Sequence, residues 1–132
     1  MTSPAVLAAG LRAHAQGLCC LEAAAELLIA QSWLHRDDFT SRFITVHPGV
    51  GSGQPTAVLD WPAVIAALGS SLPCSGGEQR LLKITASLAD GIPVDLQDTL
   101  TGLDDSNIQL LITAIRHASG KSFRTGDIHD HL

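Results

Sequence analysis

Ser75-Gly76-Gly77-Glu78-Gln79-Arg80-Leu81-Leu82-Lys83-Ile84-Thr85-Ala86-Ser87-Leu88-Ala89-Asp90-Gly91 is a helix with both of its ends marked. Ser75 and Glu78 stand at capping-box spacing: the serine oxygen accepts from the amide three residues on, and the glutamate reaches back to the serine's own amide. Leu81, Leu82, Ile84, Thr85, Leu88 and Ala89 recur at three- and four-residue intervals, which predicts one apolar face. Gly91 supplies the residue that closes the helix. A second helix follows with the same punctuation. Asp104 or Asp105 caps it, Ile108, Leu111, Ile112, Ile115 and Ala118 form its stripe, Arg116 and His117 occupy its last turn, and Gly120 stops it. The stripe predicts a buried Ile112, so that a carboxylate there would unfold the chain.

Working back toward the N-terminus, Pro4 opens a helix to about Gln16 with Val6, Leu7 and Leu11 as its apolar side, and Gly17 interrupts it. Leu18 to about Ser32 reads as a stronger helix, with Leu21, Ala24, Ala25, Leu28 and Ile29 on one face and Glu22 and Glu26 at its margin. Asp37 or Asp38 is expected to cap a further turn carrying Phe39 and Phe43. The period then changes to β-branched and aromatic runs, Phe43–His47 and Thr56–Asp60, on either side of the loop Pro48-Gly49-Val50-Gly51-Ser52-Gly53-Gln54-Pro55. That predicts one hairpin, which must pack on the helices or pair with another chain, because two strands alone are marginal in water. Asp60 caps a helix through Val64, Ile65 and Leu68 to Gly69. Asp95 caps a short turn through Leu96, Leu100 and Leu103.

The expected fold is therefore α+β, mainly α: a compact domain of about five to six helices with one β-hairpin. It spans residues 1–120, with the hairpin at about 43–60 and a polar, loosely ordered tail at 121–132. A chain of 132 residues is long enough to bury a core without staples. Three cysteines, Cys19, Cys20 and Cys74, are too few and too irregular for a disulfide framework and read as small buried hydrophobes. Ala13-His14-Ala15 faintly matches a signal-peptidase site, yet Met1–Gly10 has neither Lys nor Arg, so a cytoplasmic protein without membrane segments is expected. The net charge of −5 works against phosphate-backbone binding.

Few residues suggest chemistry. Glu22 and Glu26 with His35, Asp37 and Asp38 would make a metal or acid–base site only if their segments met, and capping and solvation account for each of them. Asp127-Ile128-His129-Asp130-His131 alternates histidines at the end of the tail and reads as a solvated end. Arg116, Lys121 and Arg124 cluster near the last helix and are the residues a nucleic-acid-binding protein would use. The link from Asp90 to Leu103 is longer than a helix-turn-helix allows, and five aspartates in and beside it make its field negative.

Ser75–Arg80 resembles the signature motif of ABC-type ATPases, but a nucleotide site also needs a Gly-x-x-x-x-Gly-Lys-Ser/Thr loop, and Gly49–Gly53 runs into Gln54 and Pro55 instead. Leu72–Glu78, Gly91–Leu96 and Leu103–Asp105 together resemble a group of small actinobacterial proteins of unknown function, over about Leu18 to Gly120. The excess of Arg over Lys, six to two, matches such a host. This resemblance implies a bacterial source and transfers no functional residue.

With no catalytic residues, metal or cofactor indicated, the expected function is a non-enzymatic interaction or self-associating module. It would bind a protein partner or form a homodimer, aided by Trp33 and Trp61 near the hairpin. The alternative is a small nucleic-acid-associated regulator of transcription or of a mobile element. Because Ser75 and Glu78 are engaged as a helix cap, calorimetry with ATP and magnesium is expected to show no heat of binding; low-micromolar affinity would overturn the capping assignment.

Overall fold

The computed structural model describes residues 2–51 and 53–121. Among the described residues, seven α-helices and one antiparallel hairpin make an α+β, mainly α, fold: α1 Pro4–Ala15, α2 Cys19–Ala30, a 3-10 turn at Trp33–His35, α3 Asp37–Phe43, β1 Ile44–His47, β2 Thr56–Leu59, α4 Trp61–Ala67, α5 Gly76–Asp90, α6 Leu96–Leu100 and α7 Asp105–Ala118. The helix count exceeds five to six because α3 and α6, expected as single turns, are separate helices. The tail expected at 121–132 lies outside the described residues except for Lys121, as do Arg124, His129 and His131.

The punctuation works as chemistry. Ser75 Oγ accepts from the Glu78 amide at 3.1 Å, and Glu78 Oε1 accepts from the Ser75 amide at 2.8 Å. Gly91 closes α5 at φ +68°, a conformation that costs glycine nothing. Asp60, Asp95 and Asp104 each accept from the amide three residues on, at 3.1, 3.3 and 2.8 Å. α3 differs from expectation. Asp37 and Asp38 do not cap it but sit in its first turn, where negative charge suits the helix dipole, and Asp38 is held by the Arg36 guanidinium.

The centre of the molecule is α2. One side, with Ala25 and Leu28, joins the main core of Leu7, Leu11, Trp33, Phe39, Phe43, Leu59, Trp61, Val64 and Leu82. The opposite side, with Ala23 and Leu27, packs on Leu81 of α5 and Ala114 of α7. A single face was expected from the spacing; the alanines supply a second. Trp33, Phe39 and Phe43 stack in series, with ring centroids 4.9 and 5.3 Å apart. Both tryptophans are buried, so neither offers a surface to a partner.

The hairpin register is Ile44↔Leu59, Thr45↔Val58, Val46↔Ala57 and His47↔Thr56. Strand β2 takes its cover from within the chain, because α1 lies directly across it, whereas Thr45, Val46 and His47 of β1 stay exposed. A Cβ on Gly10 would stand 2.9 Å from Ala57 Cβ and 3.0 Å from Ala57 N. Glycine permits this approach. Val6, expected on the buried side of α1, is instead half exposed, and the buried side is Leu7, Ala8, Gly10, Leu11 and Ala15.

Gly10→Ala therefore sets two effects against each other. Helix propensity alone would stabilise the variant by about 1 kcal/mol. The contact with Ala57 forces backbone apart, at about 1–3 kcal/mol. Net destabilisation in urea unfolding is expected; a variant more stable than the parent would show that α1 is not seated on β2.

Candidate functional site

The described ionisable residues singled out above do not converge on one site. Glu22 Oε2 accepts from the Gly17 amide at 3.0 Å, and Glu22 Oε1 lies 3.1 Å from His117 Nε2 on α7. These bonds, the Gly17 amide first and His117 second, hold the Glu22 carboxyl below the ordinary glutamate range. Glu26 instead takes a two-pronged bond from Arg12, at 2.7 and 3.0 Å on the surface. His35 and Asp37 are exposed, and Asp38 is paired to Arg36. Among the described residues no group of three His, Cys, Asp or Glu is placed to hold a metal ion.

The cysteines differ from expectation as well. Cys19 and Cys20 are exposed at the start of α2, and only Cys74 is half-buried. Burial, then the neighbouring Glu78, pushes the Cys74 thiol up, which disfavours the reactive thiolate. A concavity of about 270 Å³ lies where α1, α2, β2 and α5 meet; Ala24, Ala25, Ala57 and Ala89 leave it open, and His14 and Asp90 belong to its lining. No helix among the described residues is long and apolar enough to cross a membrane.

The largest departure from the expected pattern is on α7. Only Leu111 and Ala114 of this helix are buried. Ile108, Ile112 and Ile115, expected in the core, are 36, 46 and 54% exposed. Leu96 and Leu100 of α6, also expected inside, are 54 and 44% exposed, whereas Thr99 is buried. Of the nine large apolar side chains most exposed among the described residues, these five fall in α6 and α7. The three isoleucines of α7 stand at helical spacing and share one face, and a contiguous exposed apolar face is the condition under which a surface marks an interaction site.

The rotation of α7 has a packing cause. Ala114 meets Ala23 and Leu27 of α2, and small residues allow helix axes to come close. His117 bonds to Glu22, and the Ala118 carbonyl lies 3.8 Å from Cys20 Sγ. On the neighbouring flank Leu111 joins Ile84 and Leu103. These anchors turn the Leu110, Ala114 and Ala118 side inward and leave the isoleucines outside. A sequence signal for this existed. Apolar residues from Leu110 round to Ile112 occupy an arc of roughly 200° on α7, wider than one buried stripe of about 100° requires.

Arg116 and Lys121 are exposed at the C-terminal end of α7. Between α6 and α7 stand four residues, Thr101 to Asp104, with Gly102 at φ +90°, so a helix-turn-helix spacing is present where the whole link had looked too long. Asp95, Asp98, Asp104 and Asp105 stand at the starts of the two helices, where a recognition helix presents its base-reading residues, and their charge opposes that of phosphate-binding side chains. Comparison with protein-family models, curated proteins and solved structures finds no match to this chain.

Glu22 has a pH consequence. Its carboxyl sits below the ordinary range in the folded state, so its stabilisation is present above the unfolded value and is lost as pH falls through the folded one. Denaturant midpoints measured down through the acidic glutamate range should fall less steeply for Glu22→Gln than for the parent. Parallel curves would mean that the bonds to Gly17 and His117 do not hold in solution.

Proposed function

We propose that this chain is a non-enzymatic interaction module of the bacterial cytosol that self-associates through the outer face of α7. The observation that carries the reading is the exposure of Ile108, Ile112 and Ile115 at helical spacing on one of the two best-capped helices of the fold. Covering what remains exposed of each isoleucine is worth about 1 kcal/mol, since full burial of such a side chain is worth roughly 1.5–3 kcal/mol. The surface responsible is a helix face. Strand β2 is already covered by α1, and both tryptophans are in the core. The acidic starts of α6 and α7 favour this reading over the nucleic-acid alternative, for which Arg116 and Lys121 are the described cations.

Ile112→Asp separates this surface role from a core role. Being half exposed, Ile112 should accept a carboxylate with a change in monomer stability of about 0.5 kcal/mol or less, so the variant should melt cooperatively. Light scattering across micromolar concentrations should show the parent shifting toward a dimer and the variant staying monomeric. A parent that is strictly monomeric, or a variant that loses its cooperative melt, would defeat the proposal. Tight, salt-sensitive binding of duplex DNA by the parent would transfer the assignment to the regulator.

A further inference from the structure

Resting on that reading, we infer that the occupant of the α7 face is the α7 of a second copy, lying antiparallel about a two-fold axis near Ile112. The distribution of side chains around α7 makes the face self-complementary in that orientation. Ile108 and Ile115 flank Ile112 almost evenly along the helix, so a two-fold at Ile112 sets Ile108 of one copy beside Ile115 of the other and Ile112 against itself. An isologous contact demands this self-matching; a different partner does not.

Charge gives the same orientation independently. Asp105 in the first turn and Arg116 in the last lie on one flank of the isoleucine stripe, about three helical turns apart. Both are exposed, and neither is in an ion pair with another described residue. When two helices pack antiparallel, like flanks meet, so Asp105 of each copy stands within about one helical turn of the other's Arg116, in reach of its long side chain, and the contact forms twice. In a parallel pair unlike flanks meet, so Asp105 and Arg116 of one copy face the partner's other flank and the Asp105–Arg116 contact does not form. Asp104 and Lys121 repeat the same polarity just outside Asp105 and Arg116. The helix dipoles also oppose one another in the antiparallel arrangement, which sets each acidic end beside the partner's basic one.

The area predicts the strength. α7 has 14 residues and is therefore about 21 Å long. One pair of helices this short falls below the roughly 1,200 Å² at which stable interfaces begin. A dimer dissociating in the micromolar range is expected.

Sedimentation equilibrium at low salt, on the full chain, tests the orientation with Asp105→Arg and Arg116→Asp. Each variant alone should associate at least tenfold more weakly than the parent, since each homodimer then carries two like-charge contacts. An equimolar mixture of the two should recover association, because the chain that is basic at both ends of α7 then meets the chain that is acidic at both. The double swap D105R/R116D should also recover it. A melt of each variant checks its fold; if either loses helix stability by opposing the dipole, the neutral Asp105→Asn and Arg116→Gln replace them, and loss of the parent's salt dependence is the readout. Failure of the mixture to recover, while Ile112→Asp still abolishes the dimer, overturns the antiparallel pairing and leaves the interaction surface standing. No dimer in the parent, with a lowered melt in Ile112→Asp, assigns the face to another part of this chain and overturns both.

Discussion

Everything in this fold leans on α2 being buried from two sides. A helix with one apolar stripe can serve only one layer, but α2 carries alanines at 23, 24 and 25 and leucines at 27 and 28, so it has a buried surface in both directions. On one side it closes the core shared with α1, the aromatic series and the hairpin. On the other it receives α5 and α7. Small side chains let neighbouring axes come close, and dispersion then acts over more atom pairs than larger, looser contacts would provide. The cost of using alanine is incomplete filling, visible as the concavity lined by Ala24, Ala25, Ala57 and Ala89.

Polar groups inside this packing are joined rather than stranded. Trp33 donates to Gln31 Oε1 at 3.2 Å, Gln31 Nε2 donates to Thr85 Oγ1 at 3.2 Å and to the Leu27 carbonyl at 2.9 Å, and Thr85 returns its proton to the Leu81 carbonyl at 2.7 Å. The chain of bonds ties the end of α2 to the middle of α5 through a fully buried threonine. Removing any member would leave a buried donor or acceptor unsatisfied, which costs more than the bond itself contributes. The same sharing explains Glu22, which serves the Gly17 amide and His117 together.

The outer face of α7 follows from these constraints. Its position is set by Ala114 against α2, by Leu111 against Ile84 and Leu103, and by the bond between Glu22 and His117. Once those are satisfied the isoleucines are left uncovered among the described residues. A helix so well capped does not need them for its own persistence, and what remains outward is an apolar patch bordered by opposite charges at its two ends.

Much of the local structure was legible from residues alone. The capping box at Ser75, the aspartate caps at 60, 95 and 104, the glycine stop at Gly91 and the strands on either side of the Gly-rich loop are short-range physics, decided by bonds between residues a few positions apart. The direction in which each helix turns is not short-range. Ile108, Ile112 and Ile115 look like core by spacing, and Leu96 and Leu100 do too; for α7 the outcome depends on Ala23, Glu22 and Cys20, which lie far away in sequence. The second buried side of α2, the glycine seat of α1 on the hairpin and the separation of Glu22 from Glu26, Asp37 and Asp38 have the same origin. Sequence determined where the elements begin and end, because capping and periodicity are local; tertiary structure alone decided which apolar face was left for a partner, because that depends on which neighbours come into close contact.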